Sequence, residues 1–238
     1  MTAPYAMTRS PLARLLTRRS IAGLMLALVI IASLPLGGCA VNPATGQRQL
    51  LVLSREEEIA LGEQNDEPLA QEFGGPVQDE SLQRYLRDIG EEMAAVTEGE
   101  NPSLPWEFTL LDSDIINAFA LPGGKIFITR GLAQRYDNEA QLASVVGHEI
   151  GHVTARHIND AMVRQMGVQA VAAAAGIAVS AATDDEGAGA AGGLIVAGAQ
   201  QGAGLVSLKF NRDQEIEADK LGRSEERRVG KECFLLCR

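Results

Sequence analysis

Positive charge is in short supply in this chain. Lys and Arg number 21 against 31 Asp and Glu, for a net charge of -10. A surface of that sign repels phosphate backbones, so nucleic acid is excluded as a partner. Beyond that, acidity speaks to solubility rather than to fold. Cysteine is scarce too: Cys39, Cys233 and Cys237 show no C-x-x-C spacing, and no disulfide framework can be read from them. Aromatic residues make up 4% of the chain, and no internal repeat appears. Histidine occurs three times, always within one ten-residue stretch. What is present is a 46% hydrophobic share, rich in Ala and Gly, over 238 residues. That suffices for one packed domain behind a leader.

Residues 1–38 read as a lipoprotein signal peptide. Arg9, Arg14, Arg18 and Arg19 supply a charged start, and Ile21 to Leu36 an apolar stretch of signal-peptide length. It closes on Leu36-Gly37-Gly38-Cys39, which resembles the bacterial lipobox. That resemblance implies lipidation of Cys39, which then becomes the first residue, and Ala40 after it implies the outer membrane. Residues 39–53 are expected to be a tether, with a turn at Asn42-Pro43.

The domain proper is expected to begin at Ser54. Ser54 and Glu57 form a capping box, and Glu56 and Glu58 place negative charge at the positive end of the helix. Ile59, Leu61 and Leu69 could line its buried side. A second helix begins at Asp79-Glu80-Ser81, with Leu82, Tyr85, Leu86, Ile89 and Met93 at helical spacing. After Pro102 and Pro105 the period changes to alternation in Trp106 to Leu110. Ile115 to Ala120 and Lys125 to Thr129 flank a Leu121-Pro122-Gly123-Gly124 hairpin turn, so a small antiparallel sheet is expected. Its strand at Asn117, Ala118, Phe119 and Ala120 is either plain scaffold or an edge that pairs with an extended peptide. Residues 161–206 read as two small-residue helices joined by an acidic loop, serving as core or as a lid. Val168 to Ala182 is too short and too rich in Ala for a membrane span.

All three histidines fall in His148-Glu149-Ile150-Gly151-His152-Val153-Thr154-Ala155-Arg156-His157. Asn138 to Val146 leads into this stretch as a helix with an apolar side. On that helix His148 and His152 share a face and can close on one metal ion, with Glu149 beside them to take a proton from an activated water. Gly151 leaves room for substrate or another backbone. His157 lies about 140° round a continuous helix from His152, which disqualifies it as a ligand and makes it a hydrogen-bonding residue. The metzincin spacing fails as well. Downstream, Glu215 and Asp219 share a face of another helix, so a ligand and a hydrogen-bonding partner could stand together. Spacing alone does not separate Glu215 from Glu217.

Three motifs in order, Asn117-Ala-Phe-Ala-Leu-Pro-Gly-Gly, His148-Glu-Ile-Gly-His-Val-Thr-Ala-Arg-His157 and Glu215-Ile-Glu-Ala-Asp219, resemble the HtpX/BepA-like zinc metallopeptidases. These are gluzincins, a family that also includes the CAAX prenyl protease. The resemblance runs from about Asn42 to Gly222. It implies an α+β fold: a mainly helical zincin-like domain with a small antiparallel sheet beside the HExxH helix. It implies one Zn²⁺ per chain held by His148, His152 and Glu215, with Asp219 supporting a ligand histidine and Glu149 as catalytic base. It implies that the strand at Asn117 to Ala120 binds substrate. The activity expected is metalloendopeptidase action on unfolded or misassembled cell-envelope proteins. The place expected is the bacterial periplasm, with a lipid anchor in the outer membrane. The other reading is a lipid-anchored chaperone or assembly factor that binds clients without cutting them.

Past Gly222 the sequence Arg223-Ser-Glu-Glu-Arg-Arg-Val-Gly-Lys-Glu-Cys233 resembles the translation of a sequencing adapter. Residues 223–238 are therefore expected to be a non-native tail. Residues 54–222 are expected to be a metallopeptidase domain incomplete at its C-terminus, because the family's domain continues with further helices.

Overall fold

The computed structural model describes residues 39–97, 103–183 and 210–229, with side chains as far as 172 in one helix and 224 in another. The signal peptide, the acidic loop from Asp184, the second small-residue helix, Cys233 and Cys237 lie outside the described residues. In chain order the elements are β1 (Cys39–Val41), β2 (Arg48–Leu50), α1 (Arg55–Glu72), α2 (Glu80–Ala94), β3 (Glu107–Leu111), β4 (Ala118–Leu121), β5 (Lys125–Thr129), α3 (Arg130–Ala133), α4 (Glu139–Thr154), α5 (His157–Thr183) and α6 (Arg212–Val229). Among the described residues no helix is long and apolar enough to cross a membrane.

Local signals place most helix starts. Ser54 and Glu57 exchange side-chain and backbone bonds at α1, and Asp79 accepts the amides of Ser81 and Leu82 at α2. Asn138 accepts from Gln141 at α4. Asn211 and Gln214 cap α6 reciprocally, each side chain taking the other's amide at 2.9 and 3.1 Å. Such caps satisfy amides that a helix start leaves without intrahelical partners.

The larger sheet is mixed. Its order is β3-β5-β4, with β4 antiparallel to β5 as the hairpin requires and β3 parallel to β5. Strand β5 is buried on both faces. On one face Ile126 and Ile128, with Phe108 and Leu110 of β3, meet Leu86, Ile89 and Met93 of α2 and Val146 and Ile150 of α4. On the other, Phe127 packs with Phe119, Leu121, Leu69 of α1 and Ile158 of α5. Leu82 and Tyr85, expected on the apolar side of α2, are exposed. At the hairpin tip Gly123 has φ +80°, and a Cβ there would sit 2.6 Å from the Cα of Ile59. The strand before the turn starts at Ala118 rather than Ile115. The Thr129 hydroxyl accepts the amide of Asn117 and donates toward the carbonyls of Ile115 and Asn117, and the side chains of Ile115 and Ile116 are exposed.

Two expectations change. Residues 39–53 are not a free tether over their length: β1 and β2 form a hairpin docked on the end of α4. Asn42 Nδ2 donates to the carbonyl of Thr154 at 2.9 Å, and Gln49 Nε2 to that of Ala155 at 2.7 Å. Side chains from the hairpin thus satisfy carbonyls that the helix end leaves open. Glu58 does more than face a helix dipole. It is buried, and it takes Arg156 at 2.8 Å and Arg55 at 2.9 Å. Burial outweighs the two guanidiniums and raises its carboxyl above the ordinary range. Helix α6 runs to Val229 and so passes Gly222 without a break. Ser, Glu and Arg propagate a helix already nucleated upstream, even where no apolar periodicity marks one.

Candidate metal centre

The candidate residues come together where α4 crosses α6, and small residues set how close the two helices lie. A Cβ added to Gly151 would sit 2.6 Å from the carbonyl oxygen of Ala218 and 2.9 Å from its Cα. One turn earlier on α4, Gly147 faces Gly222, and a Cβ on Gly222 would stand 2.7 Å from the carbonyl carbon of Gly147. Gly147 and Gly151 on one helix, and Ala218 and Gly222 on the other, are each four apart, so they form one face per helix. The backbones touch along that seam. His148, His152, Glu215 and Asp219 flank it.

The resulting distances are short. His148 Nε2 lies 2.9 Å from His152 Nε2 and 3.3 Å from Glu215 Oε2. His152 Nε2 lies 3.9 Å from Glu215 Oε1. One ligand atom from each of His148, His152 and Glu215 falls within 4.8 Å of the others. His148 Nδ1 donates to Asp219 Oδ1 at 2.8 Å. A carboxylate can only accept, so the proton of neutral His148 sits on Nδ1, and its Nε2 presents a lone pair to the cluster. His152 is 3% exposed, with Phe210 stacked on its ring at 4.1 Å between centroids. Burial, assisted by His148 and His157, pushes it down to about 2, so it stays neutral. Two imidazoles and a carboxylate suit zinc, and three protein ligands leave a position for a reacting group.

Glu149 is 9% exposed. Burial pushes its carboxyl up to about 7; His148 opposes the rise and Glu215 adds to it. The same charge, after burial, raises the Tyr136 phenol. A carboxyl titrating near neutrality can both accept and return a proton.

Glu215 and Glu217, which spacing left together, are separated by the fold. Glu215 enters the cluster. Glu217 turns to His157 Nε2 at 3.1 Å. The continuous helix assumed for His157 does not exist. Helix α4 ends at Thr154, Arg156 takes the left-handed conformation at φ 58°, and His157 starts α5. The reversal brings the fully buried His157 ring back to His152, Nδ1 to Nδ1 at 2.9 Å. Burial lowers the His157 imidazole despite Glu217 beside it. This link and the Phe210 stack had no sequence signal beyond the presence of a third histidine.

Strand β4 is an edge of the sheet and packs against α4. Phe119 is buried between Phe73 and Phe127, while Ala118 and Ala120 are half-buried on the opposite face. Among the described residues no strand pairs with its outer side. Asn117 precedes it, held by Thr129. Cys39 is exposed at the start of β1.

Comparison with known proteins gives a family. Residues 80–230 match peptidase family M48. The beta-barrel assembly-enhancing protease of Escherichia coli (strain K12) is 36% identical over 149 residues, which is 61% of this chain and 29% of that protein. The protein of the same name from Yersinia pestis is 32% identical over 189 residues, 76% of this chain and 36% of that one. The human mitochondrial metalloendopeptidase OMA1 is 34% identical over 123 residues, 49% of this chain and 23% of that protein. The chain thus spans about a third of the length of its bacterial relatives.

Proposed function

Because the chain belongs to peptidase family M48, we propose that it is a zinc metalloendopeptidase that hydrolyses peptide bonds of misfolded or misassembled cell-envelope proteins. The observation that carries this is the convergence of His148, His152 and Glu215 beside a buried carboxyl held near neutrality. One Zn²⁺ would supply Lewis acidity toward water and toward a peptide carbonyl. His148, His152 and Glu215 would hold it, and Asp219 would keep the His148 ring turned toward it. Glu149 takes the proton of the attacking water and passes it to the leaving nitrogen, a transfer for which its raised pKa is suited. The free side of β4 accepts the substrate as an added strand, so that recognition falls on backbone groups common to any unfolded chain.

The bacterial relatives carry β-barrel assembly in their name. That fits a substrate class of outer-membrane proteins caught during assembly. The lipobox-like Leu36-Gly37-Gly38-Cys39 supports periplasmic residence with an outer-membrane lipid anchor at Cys39, residues 1–38 being the signal peptide. The domain would then extend from the docked hairpin into α6.

The test is proteolysis of an unfolded protein by the purified chain. Cleavage should require zinc, stop on chelation, and fall by several orders of magnitude in Glu149→Gln with the metal still bound. Cleavage that survives in that variant removes Glu149 from the chemistry.

A further inference from the structure

His152 is supported differently from His148, and the difference assigns a task to residues outside the ligand set. His148 donates from Nδ1 straight to a carboxylate, Asp219. Among the described residues no carboxylate meets His152 Nδ1. It faces His157 Nδ1 at 2.9 Å, and His157 Nε2 in turn faces Glu217 Oε2 at 3.1 Å. Gln47, in the turn of the β1–β2 hairpin, donates to the other oxygen of Glu217 at 2.6 Å.

The protons along this line can be assigned from the far end. A carboxylate only accepts, so His157 Nε2 carries a proton. A His157 ring holding that one proton has a bare Nδ1, which is then the acceptor in its bond with His152. His152 therefore donates from Nδ1 and leaves its own Nε2 bare. With His148 in the same tautomer, two bare nitrogens face each other at 2.9 Å, and Glu215 adds carboxylate oxygens. A set made of acceptors in this way suits a cation.

We propose that His157 and Glu217 are positioning residues for the metal centre: together they hold His152 in the tautomer that offers Nε2 to the ion. This rests on the zinc reading above and extends it to a relay of two imidazoles. The relay has a physical reason. His152 is 3% exposed under Phe210, and a carboxylate in direct contact there would be a desolvated charge. The neutral His157 ring carries the interaction outward to Glu217, whose side chain is 20% exposed. The hairpin holds the outer end through Gln47 and also caps the end of α4. The ligand helix and its supporting carboxylate are thus tied to one clamp.

Leu and Asn have the same branched shape, so His157→Leu and His157→Asn differ mainly in hydrogen bonding. Zinc affinity of the full chain is measured by competition with a chromophoric chelator, with circular dichroism as a check on folding. His157→Leu should bind zinc about 10- to 100-fold more weakly. His157→Asn, whose Oδ1 can accept from His152, should recover most of that loss. Glu217→Ala, at a partly exposed position, should weaken binding in the same direction. The unsubstituted chain gives an independent reading, because its three histidines resolve singly in ¹H–¹⁵N spectra. His157 should carry its proton on Nε2, and His152 on Nδ1 even without metal. Equal zinc affinity in the parent, Leu and Asn chains, or a proton on His157 Nδ1, overturns the relay while leaving the zinc centre standing. A parent chain that binds no zinc overturns both.

Discussion

Glu149→Gln removes a charge with little change of shape, and the fold makes the energetic result calculable. Burial raises the Glu149 carboxyl from 4.5 to about 7, with His148 working against the rise and Glu215 with it. Between those values the metal-free folded chain keeps a proton that the unfolded chain releases. The stability this group contributes is therefore complete below pH 4.5 and is lost as pH rises through about 7. The loss comes to about 3 kcal/mol in full, at about 1.4 kcal/mol for each pH unit crossed. Gln has no proton to release. In urea unfolding with a chelator present, parent and variant should have nearly the same midpoint at about pH 4. They should diverge with rising pH until the variant leads by about 3 kcal/mol at about pH 8, or about 1–2 M in urea. A difference that stays constant across that range would refute the assignment of a buried, proton-holding Glu149. The same substitution is expected to abolish cleavage, so stability and activity move in opposite directions, as they do where a site keeps a costly group for its chemistry.

Two further substitutions test the frame around the site. Gly151→Ala inserts a methyl 2.6 Å from the carbonyl oxygen of Ala218; it should cost about 1–3 kcal/mol in urea unfolding. Because the helices must separate, it should also weaken zinc binding, whereas an effect on stability alone would mean that the seam does not set the ligand spacing. Arg156→Ala leaves the buried Glu58 with only Arg55, and should destabilise the chain by about 3 kcal/mol. Adding Glu58→Leu to it should restore most of that loss, and a strictly additive double variant would show that the pair is not coupled.

The sequence by itself determined what depends on neighbours within one element. The Ser54–Glu57 capping box, the helix that leads from Asn138 into the histidines, the Pro122-Gly123-Gly124 turn and the shared face of His148 and His152 are local geometry, and they stand in the structure where the pattern puts them. The helical period also put Glu215 and Asp219 on one face. It could not say which glutamate of α6 would meet α4, because two residues on a helix differ by rotation and nothing local chooses the rotation. The contact chose it: Gly147 and Gly151 against Gly222 and Ala218 allow one close approach, and that approach carries Glu215 to the histidines and Glu217 to His157. The reversal at Arg156 was equally hidden. A residue other than glycine holds φ 58° there, and its side chain is fastened to Glu58 and to the carbonyl of Leu53, about a hundred residues earlier in the chain. Only tertiary structure decided the fate of His157, of Glu58 and of the docked hairpin. Each depends on a partner far off in sequence, and periodicity records the faces of an element but not the element that will cover them.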